Sequence, residues 1–165
     1  GKYPIDAVAT MNRIAIEVEQ DPLHAAIIHA QRIDPKATIS DAISAAARTV
    51  AETLDLAAIV CYTATGSTAL RAARERPQQP ILALTPIPRT ARKLTIVWGQ
   101  HCVLADDPFS LDDMVAKACR IAYQEGFAKA GEQVIVTAGV PLGKSGSTNL
   151  LRIAEVDPSE DVDLP

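Results

Sequence analysis

Residues 57–68 read Ala57-Ala58-Ile59-Val60-Cys61-Tyr62-Thr63-Ala64-Thr65-Gly66-Ser67-Thr68, and this stretch decides the fold. Its first half is a continuous apolar run of strand length. A strand apolar on both faces belongs in the middle of a sheet covered by helices on either side. Its second half gathers hydroxyl side chains around one glycine before a helical pattern begins at Ser67. A strand-to-helix turn of this kind leaves the first helical N–H groups without intrahelical partners. Backed by the positive end of the helix dipole, those groups favour an anion, phosphate above all. A plainer reading fits the same residues: Thr65 or Ser67 caps the helix and satisfies its own backbone.

The alternation continues on both sides. Upstream, Thr38-Ile39-Ser40-Asp41 reads as a capping box with Asp in place of Glu. It opens a helix whose buried face is expected to hold Ile39, Ile43, Ala46, Ala47, Val50 and Leu54. Before it, 4–19 reads as a helix with Pro4 at its first position and Ile5, Val8, Met11, Ile14 and Val18 on one face. A short helical piece follows over about 23–31, between Asp21-Pro22 and Asp34-Pro35.

Downstream, the spacing predicts a helix from Ser67 to Arg76, a strand over 81–84, a helix over 90–97 and a strand over 101–104. Ser110 and Asp113 cap a long helix (110–127) with Leu111, Met114, Val115, Ala118, Ile121 and Ala122 inward. Strands follow at 133–137 and 150–154. Strands alternating with helices imply a parallel sheet with right-handed crossovers. Only the Gly-rich residues 138–148 join the last two strands, too short a segment for a parallel crossover. The expected fold is therefore a three-layer α/β/α domain with a five-stranded, mostly parallel sheet and one antiparallel edge strand.

Ligands of open α/β sheets bind beyond the carboxyl ends of the strands. The loop after the first strand and the loop Gly139-Val140-Pro141-Leu142-Gly143-Lys144-Ser145-Gly146-Ser147-Thr148-Asn149 both leave such ends. Together they offer hydroxyls, backbone N–H groups, glycines that admit close approach, and Lys144 as a cation. The second loop also reads as a long hairpin connection with turn glycines. Neither loop carries a dinucleotide fingerprint or a correctly spaced Walker sequence, so a P-loop NTPase is rejected.

Composition excludes several classes. The chain has 165 residues, which suits one domain with a real core. Its net charge of −4, with scattered Lys and Arg, offers no basic face for nucleic acid. No apolar run matches a membrane span, and no signal-peptide pattern opens the chain. Cys61, Cys102 and Cys119 lie in apolar patterns at wide spacing, as buried, reduced thiols of a cytoplasmic protein would. His24, His29 and His101 share no metal-ligand spacing with them. Cys61 as a catalytic nucleophile is the weakest option, since it lies inside a strand with no histidine pattern nearby. The start at Gly1, without an initiator Met, suggests an excised fragment.

Five motifs then carry a family resemblance. Gly1-Lys2-Tyr3-Pro4-Ile5-Asp6-Ala7-Val8-Ala9-Thr10-Met11 resembles the G-x-Y-P-x-x-A-V-x-x-M segment leading out of the catalytic barrel of pyruvate kinases. Thr63-Ala64-Thr65-Gly66-Ser67-Thr68-Ala69 resembles that family's effector-phosphate loop. Arg76-Pro77 with Pro80-Ile81-Leu82-Ala83-Leu84-Thr85 is similar to its R-P…P-I-x-A-x-T strand, and Arg92-Lys93-Leu94 with Trp98-Gly99 to its R-x-L…W-G segment. Gly146-Ser147-Thr148-Asn149 resembles its closing G-x-T-N element, and Val134 to Pro141 resembles the bacterial version of the strand before it.

The resemblance implies a C-terminal regulatory domain of a bacterial pyruvate kinase. Residues 1–20 would be the exit helix from a catalytic barrel absent from this chain, 21–156 the α/β domain, and 157–165 an acidic tail. The full enzyme would convert phosphoenolpyruvate and ADP to pyruvate and ATP with magnesium and potassium, while this fragment would hold no cofactor and be inactive alone. Its partners would be the barrel of the same chain, the other subunits of a homotetramer, and a sugar-phosphate or nucleotide effector. Carried over by position, Thr63, Thr65, Gly66, Ser67 and Thr68 would hold the effector phosphate, and Gly143, Lys144, Ser145, Gly146 and Ser147 would close over it. The first loop lacks the Lys or Arg that effector-binding members often carry, and 109–118 lacks the Trp and Arg of animal members. A monophosphate is therefore expected rather than fructose 1,6-bisphosphate. The alternatives are a stand-alone phosphometabolite-binding module and a purely structural assembly domain, with helices 41–54 and 110–127 as candidate contacts.

Overall fold

The computed structural model describes residues 1–31, 34–142 and 147–157. The chain divides into two compact units, 1–34 and 35–165. The first unit holds α1 (Pro4–Gln20) and α2 (Pro22–Ala30). Pro4 starts α1 where a missing N–H costs nothing, as expected. The apolar face of α1 is uncovered: Ile5 is 81% exposed, Val8 66% and Met11 68%.

The second unit runs α3 (Ile39–Leu54), β1 (Ala58–Tyr62), α4 (Ser67–Arg74), β2 (Ile81–Thr85), α5 (Pro88–Leu94), β3 (Gln100–Leu104), α6 (Leu111–Gln124), β4 (Gln133–Ala138) and β5 (Leu150–Glu155). The strands form one sheet in the order β3-β2-β1-β4-β5. β1 lies parallel to β2 and β4, and β2 parallel to β3. β5 runs antiparallel to β4 at the edge, from Gln133 opposite Glu155 to Ala138 opposite Leu150. The expected three-layer fold, with its single antiparallel edge strand, is the observed one.

β1 is buried at every position because its side chains alternate into two cores. Ala58, Val60 and Tyr62 meet Met114, Ala118 and Ala122 of α6 on one face. Ile59 and Cys61 meet Ala47 and Ala51 of α3, Ala69, Ala72 and Ala73 of α4, and Leu94 of α5 on the other. Both long helices proposed as assembly contacts thus turn their buried faces to the sheet.

Two local expectations change. The buried face of α3 is Ser40, Asp41, Ser44, Ala47 and Ala51, whereas Ile39 and Leu54 are 70% and 53% exposed and Ala46 is exposed. Small residues let α3 pack against α4, and Asp41 fixes the rotation by pairing with Arg71 (3.2 Å) and Arg74 (3.3 Å). Thr38 still caps α3 by accepting from the Asp41 N–H, but the Asp41 carboxylate serves α4. α5 begins at Pro88 and ends at Leu94, earlier at both ends than 90–97, because Pro88 supplies the first-turn position. The capping pair at α6 is reciprocal: Ser110 Oγ accepts from the Asp113 N–H (3.1 Å), and Asp113 Oδ2 accepts from the Phe109 N–H (3.0 Å).

Candidate functional site

β1 is the strand at which the chain reverses direction across the sheet: β2 and β3 build out to one side, β4 and β5 to the other. The loops leaving β1 and β4 therefore diverge at a topological switch point, where open α/β sheets bind ligands. A pocket of about 360 Å³ lies there, lined among the described residues by Thr63 to Thr65, Ser67 and Thr68 from the first loop, Gly139, Leu142, Ser147 and Thr148 from the second, and Asp107-Pro108 after β3.

The first loop is held by hydrogen bonds made by two threonines. Thr63 is 8% exposed, and its Oγ1 accepts from the Gly66 N–H at 2.9 Å. Thr90 on α5 donates its hydroxyl to the Ala64 carbonyl at 2.8 Å. Gly66 takes φ +90° at the helix N-cap, a left-handed conformation that favours glycine, with Leu94 and Thr90 closing over it. No side chain caps α4, so the plainer reading, in which Thr65 or Ser67 does so, is not what the loop adopts. Thr65 Oγ1 instead donates to Ser67 Oγ at 3.3 Å, with Thr65 exposed and Ser67 half-buried. The N–H groups of Ser67, Thr68 and Ala69 find no acceptor among the described residues.

The second loop closes at its base. Asn149 Oδ1 accepts from the Val140 N–H and Asn149 Nδ2 donates to the Val140 carbonyl, both at 2.7 Å. Gly139 permits that closure, since a Cβ there would stand 2.5 Å from the Ser147 carbonyl oxygen. Ser147 Oγ is buried and has no partner among the described residues. Gly143, Lys144, Ser145 and Gly146 lie outside the described residues.

Of the expected effector residues, Thr63, Thr65, Ser67, Thr68 and Ser147 therefore line one pocket, with Gly66 at the turn between them. The hydroxyls of Thr63 and Thr68 are engaged by the Gly66 N–H and by Thr148, which orders the loop, while Thr65 and Ser67 pair with each other at its more exposed edge. Asp107 and Thr90 were not foreseen. Asp-Pro after a strand signals a turn, and nothing in the chain order ties either residue to the first loop.

Cys61 is fully buried, and burial pushes its thiol up to about 11 despite the hydrogen bond from Thr137 Oγ1. A thiol so protonated near neutral pH is no nucleophile. Cys119 is also buried, whereas Cys102, on the edge strand, is half-buried rather than buried as expected. Among the described residues no three His, Cys, Asp or Glu side chains converge as a metal site requires, and no helix is long and apolar enough to cross a membrane.

The comparisons with known proteins point one way. The family model described as "Pyruvate kinase, alpha/beta domain" matches residues 41–154. A pyruvate kinase of Methylorubrum extorquens is 49% identical over 156 residues, covering 94% of this chain and 33% of its own length. Those of Clostridium acetobutylicum and Geobacillus stearothermophilus are 38% and 39% identical, over 95% and 93% of this chain and 33% and 26% of their own lengths. The chain thus spans about a third or less of the length of these bacterial relatives. It belongs to the pyruvate kinase alpha/beta domain family.

Proposed function

We propose that this chain is the C-terminal regulatory and assembly domain of a bacterial pyruvate kinase, binding a phosphorylated effector between the loops that leave β1 and β4. The observation that carries this reading is the uncapped N-terminus of α4. Three successive N–H groups lack acceptors among the described residues, at the mouth of a hydroxyl-lined pocket. Such an end attracts a phosphate through aligned peptide dipoles. Thr65, Gly66 and Ser67 contact the phosphate, Thr63 and Thr68 fix the loop, and Gly143 to Ser147, with Lys144 as the cation, close the other side. The described lining contains no Lys or Arg, which favours a monophosphate, whether sugar phosphate or nucleotide, over a bisphosphate.

In this reading the reaction of phosphoenolpyruvate with ADP, and the magnesium and potassium it uses, belong to a catalytic barrel of the same protein outside this chain. The domain works in the cytoplasm within a homotetramer, and it meets neither nucleic acid nor membrane. Effector binding reaches the barrel as a difference in affinity between two quaternary arrangements, commonly worth about 1–3 kcal/mol. The purified chain alone forms no pyruvate in a coupled assay.

A purely structural role has one observation in its favour, the uncovered apolar face of α1. Calorimetric titration of the chain with sugar monophosphates and nucleotides separates the two. Saturable binding that is lost in Ser67→Glu supports the effector reading, and no binding by any of them leaves only assembly.

A further inference from the structure

The seam between α3 and α4 is held by charges at loose distances. Asp41 lies 3.2 Å from Arg71 and 3.3 Å from Arg74, and Glu75 lies 3.2 Å from Arg74 and 3.8 Å from Arg48 Nε. One nitrogen, Arg74 Nη2, is shared between Asp41 Oδ1 and Glu75 Oε1. By contrast, the pairs within single helices, Arg48 with Glu52 on α3 and Lys117 with Asp113 on α6, both close to 2.9 Å. A charge-assisted N–H···O bond ordinarily settles at about 2.7–2.9 Å. Asp41 and Glu75 are buried, so these carboxylates depend on the seam for their partners.

Unpaired polar atoms gather around the same helix. Arg48 Nε and Arg71 Nη1 are buried without a hydrogen-bond partner among the described residues. So are Gln79 Oε1, in the segment after α4, and Gln100 Oε1, whose amide nitrogen donates to the Ala69 carbonyl of α4. Arg76, just beyond α4, takes φ +50°, a left-handed conformation uncommon for its residue type. Strained residues of this kind cluster at switch regions. Nor does packing lock α4 in place, since its buried face is Thr68, Ala69, Ala72 and Ala73, with no large side chain to interdigitate.

We propose that α4 is a two-position helix. In its second position it has slid along α3 by about 1 Å, the gap that keeps Glu75 Oε2 from a hydrogen bond with Arg48 Nε. Glu75 then exchanges Arg74 for Arg48. Arg74 in turn gives both terminal nitrogens, already 3.3 and 3.5 Å from the Asp41 oxygens, to that carboxylate alone. Each position pairs every carboxylate of the seam, so the exchange costs no unpaired charge. Small sliding of packed helices is how shear motions proceed. The slide does not require a ligand, but it carries the open N–H groups at the other end of α4 with it.

Nitrogen relaxation dispersion on the 165-residue chain tests this, because it detects exchange on the microsecond-to-millisecond scale. Exchange is expected in the amides of 67–76 and at the Arg48 Nε–H, with flat profiles in α6 and β1. Arg48→Met removes the second partner of Glu75 and is expected to abolish the exchange while the amide shifts of the major position are kept. Arg74→Met removes the first partner and is expected to move the shifts of 67–76 toward the minor position that the dispersion defines. Arg48→Lys keeps a charge for Glu52 but has no Nε–H, and it serves in place of Arg48→Met should that variant not fold. Flat profiles over 67–76 in the unaltered chain overturn the proposal. Exchange that survives substitution of Arg48 overturns it equally.

Discussion

Thr68 and Thr148, 80 positions apart in the chain, share a buried hydrogen bond of 2.8 Å between their hydroxyls. Thr68 lies in the first turn of α4 and Thr148 near the end of the loop after β4, so this bond ties together the two segments that bound the pocket. Thr68 is 6% exposed and Thr148 2%, which leaves water little access to either oxygen.

Removing one of these hydroxyls strands the other. Thr68→Val and Thr148→Val should each destabilise the domain by about 1–2 kcal/mol, the usual cost of an unsatisfied buried polar group. The double variant should cost clearly less than the sum, since two facing methyl groups leave nothing unpaired. Urea denaturation of the four proteins measures the cycle.

Gly66 and Gly139 resist substitution for different reasons. Gly66→Ala places a Cβ at φ +90° and 3.3 Å from Leu94, whose side chain can yield, so a loss of about 1–2 kcal/mol is expected. Gly139→Ala drives a Cβ to 2.5 Å from the Ser147 backbone oxygen, which cannot yield without moving the loop. Its loss should exceed that of Gly66→Ala in the same denaturation experiment and should also weaken phosphate binding.

Asp41 sets part of the acid sensitivity. Burial alone would raise its carboxyl, but the hydrogen bond from Arg74 and the charges of Arg74 and Arg71 outweigh this and hold its pKa below 3.8. The folded chain therefore keeps this carboxylate ionised where the unfolded chain takes up a proton. Its contribution is complete above the unfolded value and is lost as pH falls below about 4 through the folded one. Asp41→Asn should lower stability at neutral pH and flatten the acid limb of a melting-temperature profile.

The thiol of Cys61 acts at the other end of the scale. Its pKa rises from 9.0 to about 11 on folding, so between these values the unfolded chain releases a proton that the folded chain retains. Stability should fall with pH across that interval, and Cys61→Ala should reduce the slope. In native labelling with a thiol reagent, Cys102 should react first, and Cys61 and Cys119 only on unfolding.

The apolar face of α1 supplies an assembly test. Val8→Lys with Met11→Lys should leave the melting temperature of the α/β unit unchanged, because α1 has no buried residue. If this face holds subunits together, the same change should lower the mass measured by light scattering.

Much of this architecture is written locally. The apolar run Ala58–Tyr62, the caps at Thr38 and Ser110, and the short link between β4 and β5 each specify their element through neighbours in the chain. The division of labour among the hydroxyls is not local. Thr63 and Thr65 look alike in sequence, yet one is buried under its own loop and the other is exposed. Thr68 is taken by a partner 80 residues away, and the Ala64 carbonyl by Thr90, 26 residues away. The rotation of α3 was equally hidden, because hydropathy favours Ile39 inward and only the arginines of α4 explain why Asp41 goes there instead.

The paired amide contacts between Asn149 and Val140 make the neck of the second loop self-sufficient. That fastening uses two residues at the base of the loop and continues into the antiparallel ladder of β4 with β5. Inserted or deleted residues beyond that fastening change loop-closure entropy only slowly. Changes of length beyond the fastening are therefore expected to leave the pairing of β4 with β5 in place.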